Sequence, residues 1–435
     1  MEELEAENRE LRERLCVEGK RYRRLWNRYR RYRNPHTPPS KRLGSNRTRS
    51  SKPRTGQGSP GRKKGHKGTT RPRPKPDETV TVTEEVCSGC GARLEDPEST
   101  ETRVIEDIPE PRKVKTTEYK VGHYQCPGCG EETVAAHPDL PPEGRLGYNA
   151  VVQTTLYKYH ARSVHRRTGD LLKWLHGLQL SSGTVFDLTR RASDWLRPHY
   201  MEVVQKIRDA DVLYADETGM KVDGEKGWIW TFNCDQATLF VMRMSRGRKV
   251  LDQVLGDEFQ GKMVVDGWRS YPAYTKNLQR CWAHLLREAD DLEATGSSEE
   301  GKEIAQELHH IYNQLNTFIQ GDPPPKDREA KKQWAMWMMK NLVEKEYRDE
   351  KVVKLVGKIR NGLHHWFTFV TDPDLEPTNN RAERALREHV VQRKIIGTLR
   401  NRKGMQIHET ITTMLATWNQ KGLDPHQQMH KTIRS

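Results

Sequence analysis

The chain has 435 residues, room for about three domains, and is 34% hydrophobic and 31% charged. No run approaches the roughly 18 consecutive apolar residues of a membrane-spanning helix, and the acidic start MEELEAENRE lacks a signal peptide's basic-then-apolar order, so a cytoplasmic protein without a membrane partner is expected. The formal charge of +15 is concentrated: residues 20–76 hold 21 Lys or Arg and no Asp or Glu, which leaves the rest of the chain at −6. Seven cysteines are too few for a disulfide scaffold.

Residues 1–33 read as a helix with the heptad seam Leu4, Asn8, Leu11, Leu15, Glu18, Tyr22, Leu25, Tyr29, Tyr32, either a coiled coil or one amphipathic helix docking on the chain. Residues 34–79, dominated by Pro, Gly, Ser and Arg, form a flexible basic linker. A polyanion such as DNA or RNA releases counterions on meeting such a block, although a solvated tail has the same composition.

Residues 80–139 read as a zinc ribbon. Strand-like alternation at Thr81-Val82-Thr83 and Lys113-Val114-Lys115-Thr116 accompanies two knuckles, Cys87-Ser-Gly-Cys90 and Cys126-Pro-Gly-Cys129, each followed by Gly. Tight turns aim both sulfurs of a pair one way, and four thiolates fill the coordination of one structural zinc ion. Residues 140–207 are helical: His176-Gly177-Leu178 closes one helix, and Ser181 or Ser182 caps the next. The pair reads as a helix-turn-helix-like module presenting Thr184, Asp187, Arg190 and Arg191 to DNA, or as a helical hairpin that binds nothing.

From residue 208 the texture changes. Val212-Leu213-Tyr214-Ala215 runs into Asp216-Glu217, strands follow at 227–232 and 237–242, a helix at 249–255, and Met263-Val264-Val265 runs into Asp266-Gly267. Three strands, a helix and a fourth strand is the order of a ribonuclease-H-like core, whose first and fourth strands lie side by side with carboxylates at matching ends. Two rigidly held hard oxygen ligands suit divalent ions, though either Asp also fits an ordinary turn or strand end. Glu383 is the best-placed third acid. With Asn380 as N-cap it occupies the capping-box position, yet Arg381, Arg384, Arg387, Arg393 and Lys394 surround it like a phosphate-binding array.

Tyr214-Ala-Asp-Glu-Thr-Gly219, Asp266-Gly267, Cys281-Trp-Ala-His284 and Asn379-Asn-Arg-Ala-Glu-Arg-Ala-Leu-Arg387 closely resemble the transposases of the insertion sequence sixty-six family. So do Gly61-Arg-Lys-Lys-Gly-His-Lys-Gly68, the cysteine knuckles and Leu180-Ser-Ser-Gly-Thr184, so the resemblance covers nearly the whole chain. It implies a DDE-type DNA transposase of α+β multidomain architecture. The ribonuclease-H-like α/β core would occupy 208–290 and 372–425, interrupted by an all-helical insertion at 291–371 around Trp334, Trp337 and Trp366 and followed by a tail at 426–435.

Carried over by position, the catalytic triad is Asp216, Asp266 and Glu383, holding two magnesium (or manganese) ions with Asp216 bridging, and with Glu217 and His284 as auxiliary groups. Arg384, Arg387 and Lys394 would grip DNA near the metals, with Arg190, Arg191, Lys63, Lys64 and Lys67 elsewhere on the DNA. The implied partners are transposon ends and target DNA, further copies of the chain in a synaptic complex, and accessory proteins of the same element, at the nucleoid. Longer members carry a further segment beyond Gly422-Leu-Asp-Pro425, which leaves activity as a complete element open. The competing functions are a nuclease without strand transfer and a DNA-binding regulator or inactivated derivative.

Overall fold

The computed structural model describes residues 74–434 except 98 and 295–297. The expected N-terminal helix and most of the basic linker, with Lys63, Lys64 and Lys67, lie outside the described residues. The chain divides into two units, the first ending at Ile108.

The first unit carries the first knuckle. The Cys87 N–H donates to the Ala92 carbonyl and the Gly91 N–H to the Cys87 carbonyl, both at 2.8 Å, and Val86 bridges Arg93 antiparallel. In the second unit the pattern repeats: the Cys126 N–H donates to the Glu131 carbonyl and the Gly130 N–H to that of Cys126, again at 2.8 Å, between strands β1 (His123–Gln125) and β2 (Glu132–Val134). Gly91 and Gly130 take φ of +72° and +76°, where a side chain would be strained. The strands expected at 81–83 and 113–116 do not form. Val82 there is 85% exposed and Val114 is exposed too, since alternation without a partner strand buries nothing.

Three helices follow, α1 (Tyr148–Tyr159), α2 (His165–His176) and α3 (Ser182–Arg208). Gly177 ends α2 at φ +70° while the Leu178 N–H reaches back to the Leu172 carbonyl. Ser181 caps α3, its Oγ accepting from the Thr184 N–H at 3.1 Å. The helix boundaries expected around Gly177 and Ser181 are thus observed.

The central sheet begins with the antiparallel strands β3 (Val212–Val222), β4 (Glu225–Asn233) and β5 (Thr238–Arg243). After α4 (Lys249–Leu255) comes β6 (Lys262–Val265), parallel to β3, and after α5 (Ser270–Tyr274) comes β7 (Leu278–Arg280), parallel to β6. The sheet order is β5-β4-β3-β6-β7, with the two-residue β8 (Thr398–Leu399) pairing the far end of β3. From β7 onward the chain is helical: α6 (Trp282–Ala294), α7 (Glu299–Gln320), α8 (Pro325–Glu344), α9 (Glu350–Arg360) and α10 (Thr368–Thr371), then α11 (Asn380–Ile396). After β8 come α12 (Arg402–Gln420) and α13 (Pro425–Arg434).

Strand alternation decides what each face of β3 meets. Leu213 and Ala215 join a core with Trp230, Phe232, Leu251, Tyr271 and α12, whereas Tyr214 packs with Trp282, Phe367 and the helices beyond β7. The free edge of β5 is covered by α12. Glu409, Thr413 and Thr417, four residues apart on the helix, accept from the N–H groups of Met242, Phe240 and Thr238, two apart on the strand. Four helical residues rise about 6 Å and two strand residues about 6.8 Å, so the rows stay in step and the edge is closed to other strands. Among the described residues no helix is long and apolar enough to cross a membrane.

Candidate functional site

Asp216 and Asp266 are set level by the sheet. β3 and β6 run parallel with Val212 opposite Lys262, Leu213 opposite Met263 and Tyr214 opposite Val264. Two residues further on, that register sets Asp266 opposite Asp216. Each carboxylate is steadied locally: Asp216 Oδ1 accepts from the Glu217 N–H and Asp266 Oδ1 from the Trp268 N–H, both at 2.8 Å. The Asp216 carboxyl is pushed well above the usual carboxylate range, first by burial, then by the charges of Glu217 and Asp266, and to a lesser extent by Glu383.

Glu383 arrives on α11, whose start is clamped to both strands. Asn379, fully buried, donates its side-chain amide to the Ala215 carbonyl at 2.7 Å, immediately before Asp216. Its backbone N–H donates to Cys281 Sγ at 3.1 Å, and the Cys281 N–H donates to the Val265 carbonyl at 2.9 Å, immediately before Asp266. Asn379 and Cys281 therefore join the backbone beside both aspartates to the helix start, and Glu383 follows within one turn, its N–H donating to the Asn379 carbonyl at 3.2 Å.

The N-cap is Asn379, not Asn380, so Glu383 sits one place beyond the capping-box position and its side chain does not bond back to the helix terminus. Instead Glu383 Oε1 lies 3.5 Å from His284 Nδ1 and Oε2 lies 3.7 Å from an Arg287 nitrogen. Among the described residues neither Oε1 nor His284 Nδ1, both buried atoms, has a hydrogen-bond partner. An orphaned, buried carboxylate oxygen fits a divalent cation. The three acids do not all close to within 4.8 Å; among the described residues the only three-ligand group that tight is Cys281, His284 and Glu383.

The basic residues of α11 divide. Arg393 donates to Thr218 Oγ1 at 2.8 Å and to the Gly219 carbonyl, pinning the helix to β3, and Arg381 pairs with Asp235 at 2.6 Å. Arg384, Arg387 and Lys394 are exposed.

Glu217, one residue along β3 from Asp216, points to the opposite face. Buried, it takes Arg246 Nε on one oxygen at 2.5 Å and the Tyr271 hydroxyl on the other. With both oxygens engaged, Glu217 is a structural anchor here and not the auxiliary ligand expected. Burial and then the Asp266 charge push its carboxyl up to about 7, while Tyr271 and Arg246 hold it down. Arg246 is sandwiched between Trp228 and Trp268, at 4.8 and 3.7 Å from the ring centroids, and reaches to 3.8 Å from Asp266. Sequence reasoning missed Arg246, Tyr271 and Asn379, because their value lies in contacts across the fold. A cavity of about 270 Å³ opens beside Asp266, lined also by Trp268, Arg280, Cys281, His284 and Lys358.

A sequence model of the Transposase IS66 family matches residues 144–407, more than half of the chain and all three acids. The chain belongs to the IS66 transposase family. It is also similar to two uncharacterized proteins of Sinorhizobium fredii (strain NBRC 101917 / NGR234). Protein y4jD is 22% identical over 386 residues, 81% of this chain and 75% of that protein. Protein y4qI is 23% identical over 330 residues, 68% of this chain, which covers 59% of that protein's length.

Outside the acidic centre, this IS66-family chain has further features that bear on metal and DNA. At the first knuckle the backbone N–H groups of Gly89 and Cys90 pull the Cys87 thiol below its usual value, and at the second those of Cys129 and Gly128 do the same for Cys126. N–H donors around sulfur favour the thiolate that zinc requires, so each knuckle fits the metal chemically. On α3, Arg190 is half-exposed and pairs with Asp187 at 2.9 Å and Asp194 at 2.7 Å. Arg191 corrects the expectation of a DNA contact. It is 3% exposed, stacks over Trp195, and donates through its two terminal nitrogens to the carbonyls of Leu146 at 3.4 Å and Glu143 at 2.6 Å, so it is held inside the fold.

Proposed function

We propose that this chain is a DDE transposase that cuts DNA at transposon ends and joins the freed 3′ end to target DNA. What supports the reading is how the segments carrying the three acids are joined: β3 and β6 run parallel in a register that leads Asp216 and Asp266 out side by side, and the Asn379 amide ties the start of the Glu383 helix to the residue before Asp216. The sheet order supports it, since an antiparallel trio extended by two parallel strands beside the first is the ribonuclease-H-like arrangement.

Magnesium ions held by these carboxylates would activate the attacking oxygen and stabilise the leaving one. The protein's own groups supply the rest. Asp216, Asp266 and Glu383 would hold the ions, and burial first, then the charges of Glu217 and Asp266, raise the Asp216 carboxyl that a cation would compensate. Arg246, anchored by Glu217, steadies Asp266. Exposed Arg384, Arg387 and Lys394 would grip the DNA backbone beside the acids. The knuckles would share one structural zinc, Arg190 on α3 and the basic arm would bind transposon ends, and copies of the chain, with accessory proteins of the element, would build the synaptic complex at the nucleoid.

The test is magnesium-dependent cleavage of end-containing DNA by wild type, Asp216→Asn, Asp266→Asn and Glu383→Gln. Each variant should lose at least about a hundredfold in rate while retaining end binding. A variant that cleaves like wild type overturns the triad. Cleaved but never joined products indicate a nuclease, and binding without cleavage by wild type a regulator or inactivated derivative.

A further inference from the structure

Cys281 Sγ, an imidazole nitrogen of His284 and a carboxylate oxygen of Glu383 all lie within 4.8 Å of one another, at the junction of α6 and α11. We infer that these three side chains form a site for a soft divalent cation of the zinc class, and that filling it withdraws Glu383 from phosphoryl transfer. The second half rests on the proposed function of Glu383; the first half does not.

Three observations carry the site. His284 Nδ1 and Glu383 Oε1 face each other at 3.5 Å with no hydrogen bond between them or to any other group among the described residues. Two ligands each about 2.0–2.1 Å from zinc at tetrahedral angles stand about 3.4 Å apart, so the pair has the spacing of co-ligands and not of a closed ion pair.

The sulfur is held in place at the start of α6, where the Asn379 N–H points at Sγ from 3.1 Å. The Cys281 backbone is further fixed through its own N–H to the Val265 carbonyl.

The site is also reachable. His284 and Glu383 are half-buried, and the cavity of about 270 Å³ beside Asp266 is lined by both Cys281 and His284, leaving room for a water as fourth ligand. Thiolate and imidazole select zinc over magnesium, whereas the hard-oxygen acids do the reverse. The Arg287 contact is to the other Glu383 oxygen, Oε2, so a cation on Oε1 does not displace it.

The experiment titrates metal-stripped, full-length protein with Co²⁺ as a spectroscopic stand-in for zinc, in wild type, Cys281→Ser and His284→Ala. Wild type should bind one more ion per chain than either variant, and that ion should add a thiolate-to-cobalt absorption band that Cys281→Ser abolishes. Equal ion counts in all three proteins overturn the site. If Cys281→Ser unfolds, His284→Gln, at a half-buried position and of similar bulk, carries the count instead. Zinc added to magnesium-supported cleavage should inhibit wild type, and His284→Ala should need at least about tenfold more zinc for the same inhibition. Equal zinc sensitivity despite different ion counts overturns the sharing of Glu383. If no protein cleaves DNA, the transposase reading fails while the cobalt count still decides the site.

Discussion

The side-chain amide of Asn379 donates to the carbonyl oxygen of Ala215 across 2.7 Å, joining positions 164 residues apart in sequence. It joins the strand of Asp216 to the start of the helix of Glu383, and both residues are fully buried. Removing the amide in Asn379→Ala leaves that carbonyl buried and unpaired, which costs about 1–3 kcal/mol. Asn379→Asp should cost more, because it faces the carbonyl with an oxygen where a donor stood. Urea unfolding orders the variants. At a temperature where both remain folded, magnesium-dependent cleavage should still fall in each; full activity in folded Asn379→Ala would show that the clamp does not position Glu383.

Glu217 makes stability depend on pH in a direction opposite to that of most carboxylates. Its folded value of about 7 lies above the ordinary 4.5, so the folded protein keeps a proton that the unfolded chain has lost. The resulting stability is fully present below about pH 4.5 and is lost as pH rises through about 7, a change on the order of 3 kcal/mol. Asp216, also raised, adds to the same slope, so the readout is the difference between wild type and Glu217→Gln. The variant should show a visibly flatter fall in unfolding free energy between pH 5 and 7.5. Parallel curves would mean that Glu217 is ionised throughout this range.

These two relationships mark where sequence reading ends. β3, β4, β5, α4 and β6 were legible because alternation and apolar runs are local signals, and Gly177 and Ser181 announce the turn between α2 and α3 by their own chemistry. Period-two alternation already puts Asp216 and Glu217 on opposite faces of one strand. It cannot say that Arg246 and Tyr271 wait on the Glu217 side. Asn379 in sequence is one of two adjacent Asn at a helix start, and only the packed fold turns its amide away from the cap toward Ala215. The alternation at residues 81–83 and 113–116 misled for the complementary reason, because a strand needs a partner that the local pattern does not specify.

The two knuckles make a prediction about counting. If their four thiolates share one zinc, Cys87→Ser and Cys126→Ser should each remove one ion per chain, and the double variant should remove no more than either alone. Separate sites would give additive loss. Metal analysis after gel filtration distinguishes the outcomes. Because N–H donors lower the Cys87 and Cys126 thiol values, acid should be needed to release the metal.

Arg191 and Arg387 look interchangeable in sequence, each an arginine on a helix thought to face DNA, yet their surroundings predict opposite phenotypes. Arg191 is buried against Trp195 and satisfies the Glu143 and Leu146 carbonyls, so Arg191→Ala loses packing and leaves those acceptors unpaired. It should lower the unfolding free energy by about 2–3 kcal/mol while affinity per folded molecule is unchanged. Arg387 is exposed on α11, one turn past Glu383, and the Glu383 carboxylate lies toward His284 and Arg287 instead. Arg387→Ala should therefore leave the thermal midpoint nearly unchanged, weaken binding to transposon-end DNA, and reduce the slope of log affinity against log salt by about 1. A melting-point loss without any change in that slope would show that Arg387 serves the helix and not the phosphate backbone.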